Sequence, residues 1–273
     1  MGKIILNIVK WFFIVSLLII IVFPALWAIM SAFKSPSDMF TSPPVWIFRP
    51  NFQNFLKIII DRNVYRNILN SLIIAVANTF ISVFIGSLAG YVLARAKFKG
   101  SNFLAFLFLF GRLIPPVTFI IPYYLILIRI GLYDTHIGVI MTYLGFSLPF
   151  STWIMRSFFM GIPKELEEAG FIDGCNHFNV LYRIILPLAA PGLGTAMIFV
   201  FLNSWNEFIY AFMFTRNTAV TLPVLAASFV TPQGVLWGEI FAVSVIIMAP
   251  MIIIGLIVRN FFIKGLTLGA VKG

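Results

Sequence analysis

Residues 11–32 read WFFIVSLLIIIVFPALWAIMSA, a run without one charged side chain lying between Lys10 and Lys34. A helix needs about 20 mostly apolar residues to cross roughly 30 Å of bilayer hydrocarbon, and this stretch has them. Outward from it, five more segments have the same character: Asn70 to Ala94, Phe103 to Ile128, Ile137 to Met155, Pro191 to Phe214 and Ile240 to Val258. The whole chain agrees. Of 273 residues, 61% are hydrophobic and 10% charged, with mean hydropathy +1.03, whereas soluble domains carry about 25% charged residues. A soluble globule is excluded. The pattern predicts an all-α membrane protein with six transmembrane helices in a single domain, residues 1–273. Lys3 and Lys10 also fit the start of a signal peptide, but the five later spans favour an uncleaved first helix.

Nineteen Lys and Arg against nine Asp and Glu give a net charge of +10. Basic residues of short loops stay on the cytoplasmic side. Lys3 and Lys10, then Arg95, Lys97 and Lys99, then Arg156, Lys164 and Arg183, then Arg259, Lys264 and Lys272 alternate with loops holding little beyond Arg129 and Arg216. Both termini are therefore expected in the cytoplasm, in a multi-pass protein of the cell membrane. The long first loop runs against this rule with Lys34, Arg49, Lys57, Arg62 and Arg66. The excess charge suits loop ends and membrane lipid, and no basic run interleaved with aromatics points to nucleic acid. One cysteine, Cys175, and two isolated histidines, His136 and His177, offer no metal set. No cluster of nucleophile, acid and base suggests an enzyme, so no catalytic residue is expected. Leu181 to Ala190 and Leu222 to Val230, the latter ahead of a Pro232-Gln233-Gly234 turn, are too short to span and read as interfacial or partly inserted pieces.

Four of the nine acidic residues, Glu165, Glu167, Glu168 and Asp173, fall in the loop between the fourth and fifth spans. Pro163 suits a helix first turn, the acidic side chains suit the positive end of its dipole, and Gly174 suits its stop. Ile162, Leu166, Ala169, Gly170 and Asp173 recur at helical spacing, and the small residues allow a partner's backbone to approach. The residues alone allow equally a solvated acidic loop.

The run Glu165-Leu166-Glu167-Glu168-Ala169-Gly170-Phe171-Ile172-Asp173-Gly174, followed after nine residues by Ile184-Ile185-Leu186-Pro187, resembles the EAA loop of permease subunits of ATP-driven (ABC) importers. Gly170 stands where a second Ala is usual. Arg112-Leu113-Ile114-Pro115-Pro116, Leu148-Pro149-Phe150, Trp205-Asn206-Glu207-Phe208 and the tail from Gly265 to Gly273 are similar to the carbohydrate-uptake branch, and within it to the six-span, MalG-like permease. The resemblance implies a type I importer permease fold with residues 159–187 as cytoplasmic coupling loop. It assigns ATPase contact and force transfer to Glu165, Leu166, Glu167, Glu168, Ala169, Gly170, Asp173, Gly174, Phe178 and Pro187. It implies as partners a second permease in a heterodimer, two ATPase subunits and an extracytoplasmic solute-binding protein. ATP and Mg belong to the ATPase. This chain has no Gly-x-x-x-x-Gly-Lys-Ser/Thr phosphate loop and is expected to need no cofactor.

Charges inside spans are costly and so face protein or water. Arg112 and Glu207, with the polar Asn203, Ser204 and Asn206, are candidates for the translocation path. The alternative for both charges is a structural clamp. The rival function is a secondary transporter driven by an ion gradient, in which Glu207 would titrate.

Overall fold

The computed structural model describes residues 2–96, 99–111 and 113–270. Lys97, Arg112 and the last three residues, which carried part of the sequence reading, lie outside them. In chain order the helices are α1 (Gly2–Ala32), α2 (Pro36–Met39), α3 (Gln53–Ile60), α4 (Val64–Arg95), α5 (Ser101–Gly111), α6 (Ile120–Arg129), α7 (His136–Met160), α8 (Glu165–Ile172), α9 (His177–Asn179), α10 (Leu186–Leu188), α11 (Ala190–Trp205), α12 (Ile209–Phe214), α13 (Leu222–Ala227) and α14 (Trp237–Ala270). A 3-10 turn covers Pro116–Phe119 and a π turn Val180–Ile185. Pro232-Gln233-Gly234 forms the expected turn, between strands β1 (Val230–Thr231) and β2 (Gly234–Val235) paired Val230 to Val235.

Among the described residues, four helices are long and apolar enough to cross a bilayer unaided: Lys3–Ala32 of α1, α4, α7 and Trp237–Val258 of α14. A fifth candidate is broken, His177–Leu188 meeting α11 at 76°. The expected span from Phe103 to Ile128 is likewise not one helix. Pro115 is extended, with φ −57° and ψ 131°, and Pro115 and Pro116 both lack the N–H that continues a helix. The chain stops after α5 and restarts in the 3-10 turn. Pro122 then falls in the first turn of α6, where its missing donor is not needed.

Two compact units emerge, residues 66–224 on one hand and residues 1–65 with 225–273 on the other. In the second of these α14 packs on α1 and α3. Asn54 donates to the carbonyls of Ala32 (2.9 Å) and Lys34 (3.0 Å), satisfying the end of α1. Lys34 is buried with its ammonium 4.6 Å from the Trp27 ring centre, Lys57 pairs with Glu239 at 3.7 Å, and Arg62 lies over Phe229. Three of the five basic residues that cut against the loop-charge rule are thus committed to local contacts.

In residues 66–224, α4 and α7 touch backbone to backbone. A Cβ on Gly90 would come within 2.9 Å of Arg156 N and Thr152 O, and one on Gly86 within 2.9 Å of Thr152 N. Gly86 and Gly90 make a G-x-x-x-G pair, the spacing that lets membrane helices approach closely. One apolar cluster joins Val83 of α4, Met155 and Phe159 of α7, Val180, Leu181 and Ile185 of the π turn and Val200 of α11. Another joins Ile74, Leu127, Val139, Tyr143, Tyr210 and Phe214. Between them lies a buried polar layer. Asn78 donates to Ser147 (2.8 Å) and Ser204 (2.6 Å), and Ser151 donates to the Ser82 carbonyl (2.6 Å). Within Leu181 to Ala190, too short to span, Leu181, Ile185 and Ala189 pack into the first cluster while Tyr182, Arg183, Pro187 and Leu188 stay exposed.

Candidate functional site

Helix α8 has Glu165, Glu167 and Glu168 in its first turn as expected, but Pro163, expected in that turn, lies two residues ahead of its start. Its end is a Schellman motif. Gly174 has φ +84°, Cys175 N–H reaches the Gly170 carbonyl (3.0 Å) and Gly174 N–H the Phe171 carbonyl (3.1 Å), so two orphan carbonyls are satisfied by a turn that favours glycine. Glu165, Leu166, Glu168, Ala169, Asp173, Gly174 and Phe178 all lie on the exposed side. Ile172 is 86% exposed and Phe178 70%. Tyr182, stacked parallel on Phe178 with ring centres 6.3 Å apart, extends the patch. Ile172 and Tyr182 were not singled out from sequence; isolated apolar residues there gave no signal until the helix fixed their side.

Two residues of the expected docking surface point the other way. Glu167 is buried: the Arg95 Nε donates to its Oε1 and the Tyr91 hydroxyl to its Oε2 (3.2 Å). Gly170 is buried too, and a Cβ there would meet Ile184 Cδ1 at 2.6 Å. Its small size serves packing of α8 on the π turn, which explains Gly where the EAA pattern has Ala. Pro187 is exposed in α10, next to the bend that leads into α11.

The second feature is a cavity of about 760 Å³, in the size range of small-molecule sites. Pro116, Phe119, Tyr123, Phe146, Asn203, Asn206, Glu207 and Tyr210 are on its wall. It opens where α11 stops at Trp205 and α12 begins at Ile209. Glu207 holds that break together: its carboxylate accepts from Tyr210 N (3.0 Å) and Ala211 N (3.1 Å), so it caps α12. Tyr210 in turn donates to the Pro116 carbonyl (3.0 Å). Asn203 and Asn206 each donate from the side-chain amide to a carbonyl one turn back, of Phe199 and Leu202 respectively, both at 2.8 Å. Ser204, a candidate beside them, instead faces inward to Asn78 and is buried. On a helix, residues 203 and 206 share a side that 204 does not. Arg112 lies outside the described residues. Among those residues no group of His, Cys, Asp and Glu could hold a metal ion. His136 is spent on Asn70, 2.7 Å away.

Long apolar helices, a broken helix beside a cavity walled by aromatic rings and a few polar groups, and an exposed short helix match the design of a transporter's membrane subunit. The chain belongs to the family of binding-protein-dependent transport system inner membrane components, whose model matches residues 82–267. It is 36% identical over 268 residues to the probable ABC transporter permease protein YurM of Bacillus subtilis, covering 96% of this chain and 88% of that one. It is 34% identical to the trehalose/maltose transport system permease protein MalG of Thermococcus litoralis, covering 93% of each. It is 33% identical to the arabinooligosaccharides transport system permease protein AraQ of Halalkalibacterium halodurans, covering 93% of this chain and 92% of that one. The fold is that of a bacterial ABC transporter involved in import of the acidic polysaccharide alginate, with TM-score 0.79 at 20% identity over 96% of this chain and 98% of that one. The matching subunits are membrane components; the hydrolysis of ATP belongs to a partner.

Proposed function

We propose that this chain forms half of the translocation path of an ATP-driven importer of a sugar or sugar-like solute. It works beside a second permease, two ATPase subunits and an extracytoplasmic solute-binding protein, in the cytoplasmic membrane. It crosses six times with both ends inside. α5 and α6 together make the third crossing, and α11 with α12 the fifth, each interrupted near the cavity. Broken helices beside a cavity are a recurrent transporter device, since unwound backbone is tolerated where it lines water or protein. The sugar class rests on the trehalose/maltose and arabinooligosaccharide permeases among the relatives. The cavity suits it: flat aromatic faces with a few polar groups accept a ligand rich in hydroxyls.

The observation that carries the reading is the outward face of α8. Glu165, Glu168 and Asp173 flank Leu166, Ala169 and Ile172, all exposed, so carboxylates meet basic groups of an ATPase cleft while the apolar residues fill it. ATP and Mg bind to that ATPase. Gly174→Leu forces a side chain into φ +84°, costing about 1–2 kcal/mol in a turn, and Glu168→Lys reverses charge on the docking face. Both are expected to abolish ATP-dependent uptake while the permease stays at its normal level in the membrane. Uptake at the unsubstituted rate in both variants, or uptake that survives ATP depletion and collapses with an uncoupler, overturns the reading.

A further inference from the structure

We infer that Arg95 and Glu167 form a rigid joint that delivers motion of α8 directly to α4, bypassing the chain that follows α8. This rests on the proposal that α8 is gripped by an ATPase.

Two routes lead from α8 into the membrane part. The covalent one is indirect: it passes the Gly174 turn, a π turn and a 76° bend before reaching α11. The other is through space and is stiff. The guanidinium of Arg95, last residue of α4, binds Glu167 on α8 through Nε and the Ile162 carbonyl in the α7–α8 turn through Nη2 (2.9 Å). Both carboxylate oxygens of Glu167 are used, the second by Tyr91, one turn earlier on α4. The two charged side chains are only 11% and 10% exposed, so water does not compete for them. Tyr91 also packs edge-on against Phe159 of α7, ring centres 5.7 Å apart, and Gly86 and Gly90 press α4 onto α7 along the same half. The ends of α4, α7 and α8 therefore have no independent freedom.

The division of labour among the carboxylates supports this. Among the described residues, Glu165 and Glu168 stand exposed with no intramolecular bond from their side chains, as a docking face requires. Glu167, between them, is turned inward, where it cannot meet a partner. Arg95 and Glu167 are thus positioning residues, acting through α8 and not on the solute.

The test uses the complete importer in proteoliposomes. Spin labels at Val92→Cys on α4 and Lys164→Cys at the start of α8, both exposed positions, with Cys175→Ser, report whether the two helices keep their spacing through the ATP cycle. The expected distance change between nucleotide-free and ATP-bound states is less than about 2 Å; a larger change overturns the joint. Glu167→Gln is expected to lower solute taken up per ATP hydrolysed by about tenfold, with the ATPase still attached and its hydrolysis rate within about twofold. An unchanged ratio, or loss of the ATPase from the complex, overturns the inference. Should that variant fail to accumulate, the apolar pair Arg95→Met with Glu167→Leu, which keeps volume without buried charge, and the label distance decide by the same criteria. Failure of the underlying reading looks different: Ile172→Cys then forms no cross-link to the ATPase, whatever the label distance.

Discussion

Glu167 and Asp134 fasten the chain beyond opposite ends of α7, the first to a guanidinium away from water, the second to a row of backbone amides near the surface. Asp134, itself at φ +57°, accepts from the N–H groups of Arg216, Asn217, Thr218 and Ala219 at 2.9–3.2 Å. It thereby pins the loop after α12, which Asn67 and Asn70 hold from the other side through the Val220 and Thr218 carbonyls, at 2.9 Å. The α8 end concentrates its strength in one buried ionic contact; the α12 end spreads it over many neutral partners. A concentrated, dry contact transmits displacement but fails when one member is lost. A distributed, wet one tolerates single losses and holds a surface in shape.

Removing one partner at a time exposes that difference. Arg95→Ala leaves Glu167 charged, buried and without its cation, and such losses cost about 3–5 kcal/mol. Thermal melting of the detergent-solubilised permease is expected to drop far more for this variant than for any single change around Asp134. A drop of equal size at both ends would erase the distinction.

Between the two ends, Asn78 tests whether the middle behaves like either. It is fully buried and serves Ser147 and Ser204 at once. Asn78→Ala is expected to cost about 1–3 kcal/mol, since hydrogen bonds between membrane helices contribute modestly one by one and two hydroxyls lose their partner. Melting again reads the effect, which should fall between those of Arg95→Ala and Asp134→Asn.

The sequence discloses these regions unevenly. Apolar runs marked α1, α4, α7 and α14, and the acidic run with Gly174 marked α8 and its stop, because length and turn chemistry are local properties. Which side of each helix faces inward was not legible. In a water-soluble helix, polar faces point outward and reveal the buried side; along α4 the order is reversed, the outer face being apolar and the inner one carrying polar and small residues, Asn70, Ser71, Asn78, Ser82, Gly86 and Gly90 among them. The same blindness put Ser204 beside Asn203 and Asn206 as a candidate for the path, though it faces Asn78, and read Glu167 with Glu165 and Glu168. Charge and spacing announced that a carboxylate cluster was present. Only the partner at Arg95, 72 residues away, decides which member turns inward. The break at Pro115 was visible as chemistry, but the partner that the Pro116 carbonyl takes beyond it, Tyr210, is again a long-range fact.

The smallest effect belongs to Asp134, and acid brings it out. Partial burial opposes its ionisation, but the four amides outweigh that and hold its pKa below the ordinary 3.8. In the unfolded chain the group titrates at its ordinary value, so between the two values the unfolded state binds more protons and stability falls as pH falls. The contribution is therefore whole above pH 3.8 and is lost as acid takes the pH down through the folded value. At neutral pH, Asp134→Asn is expected to cost about 1 kcal/mol, after discounting for solvent around a partly exposed carboxylate. Hydrogen exchange at the amides of residues 216–219 reads it locally: the unsubstituted chain should lose part of its protection there on acidification, and the Asn variant should show that partial loss already at pH 7. Protection in the variant equal to that of the parent at neutral pH would mean that Asn67 and Asn70 alone hold the loop, and that the α12 end has no need of a charge at all.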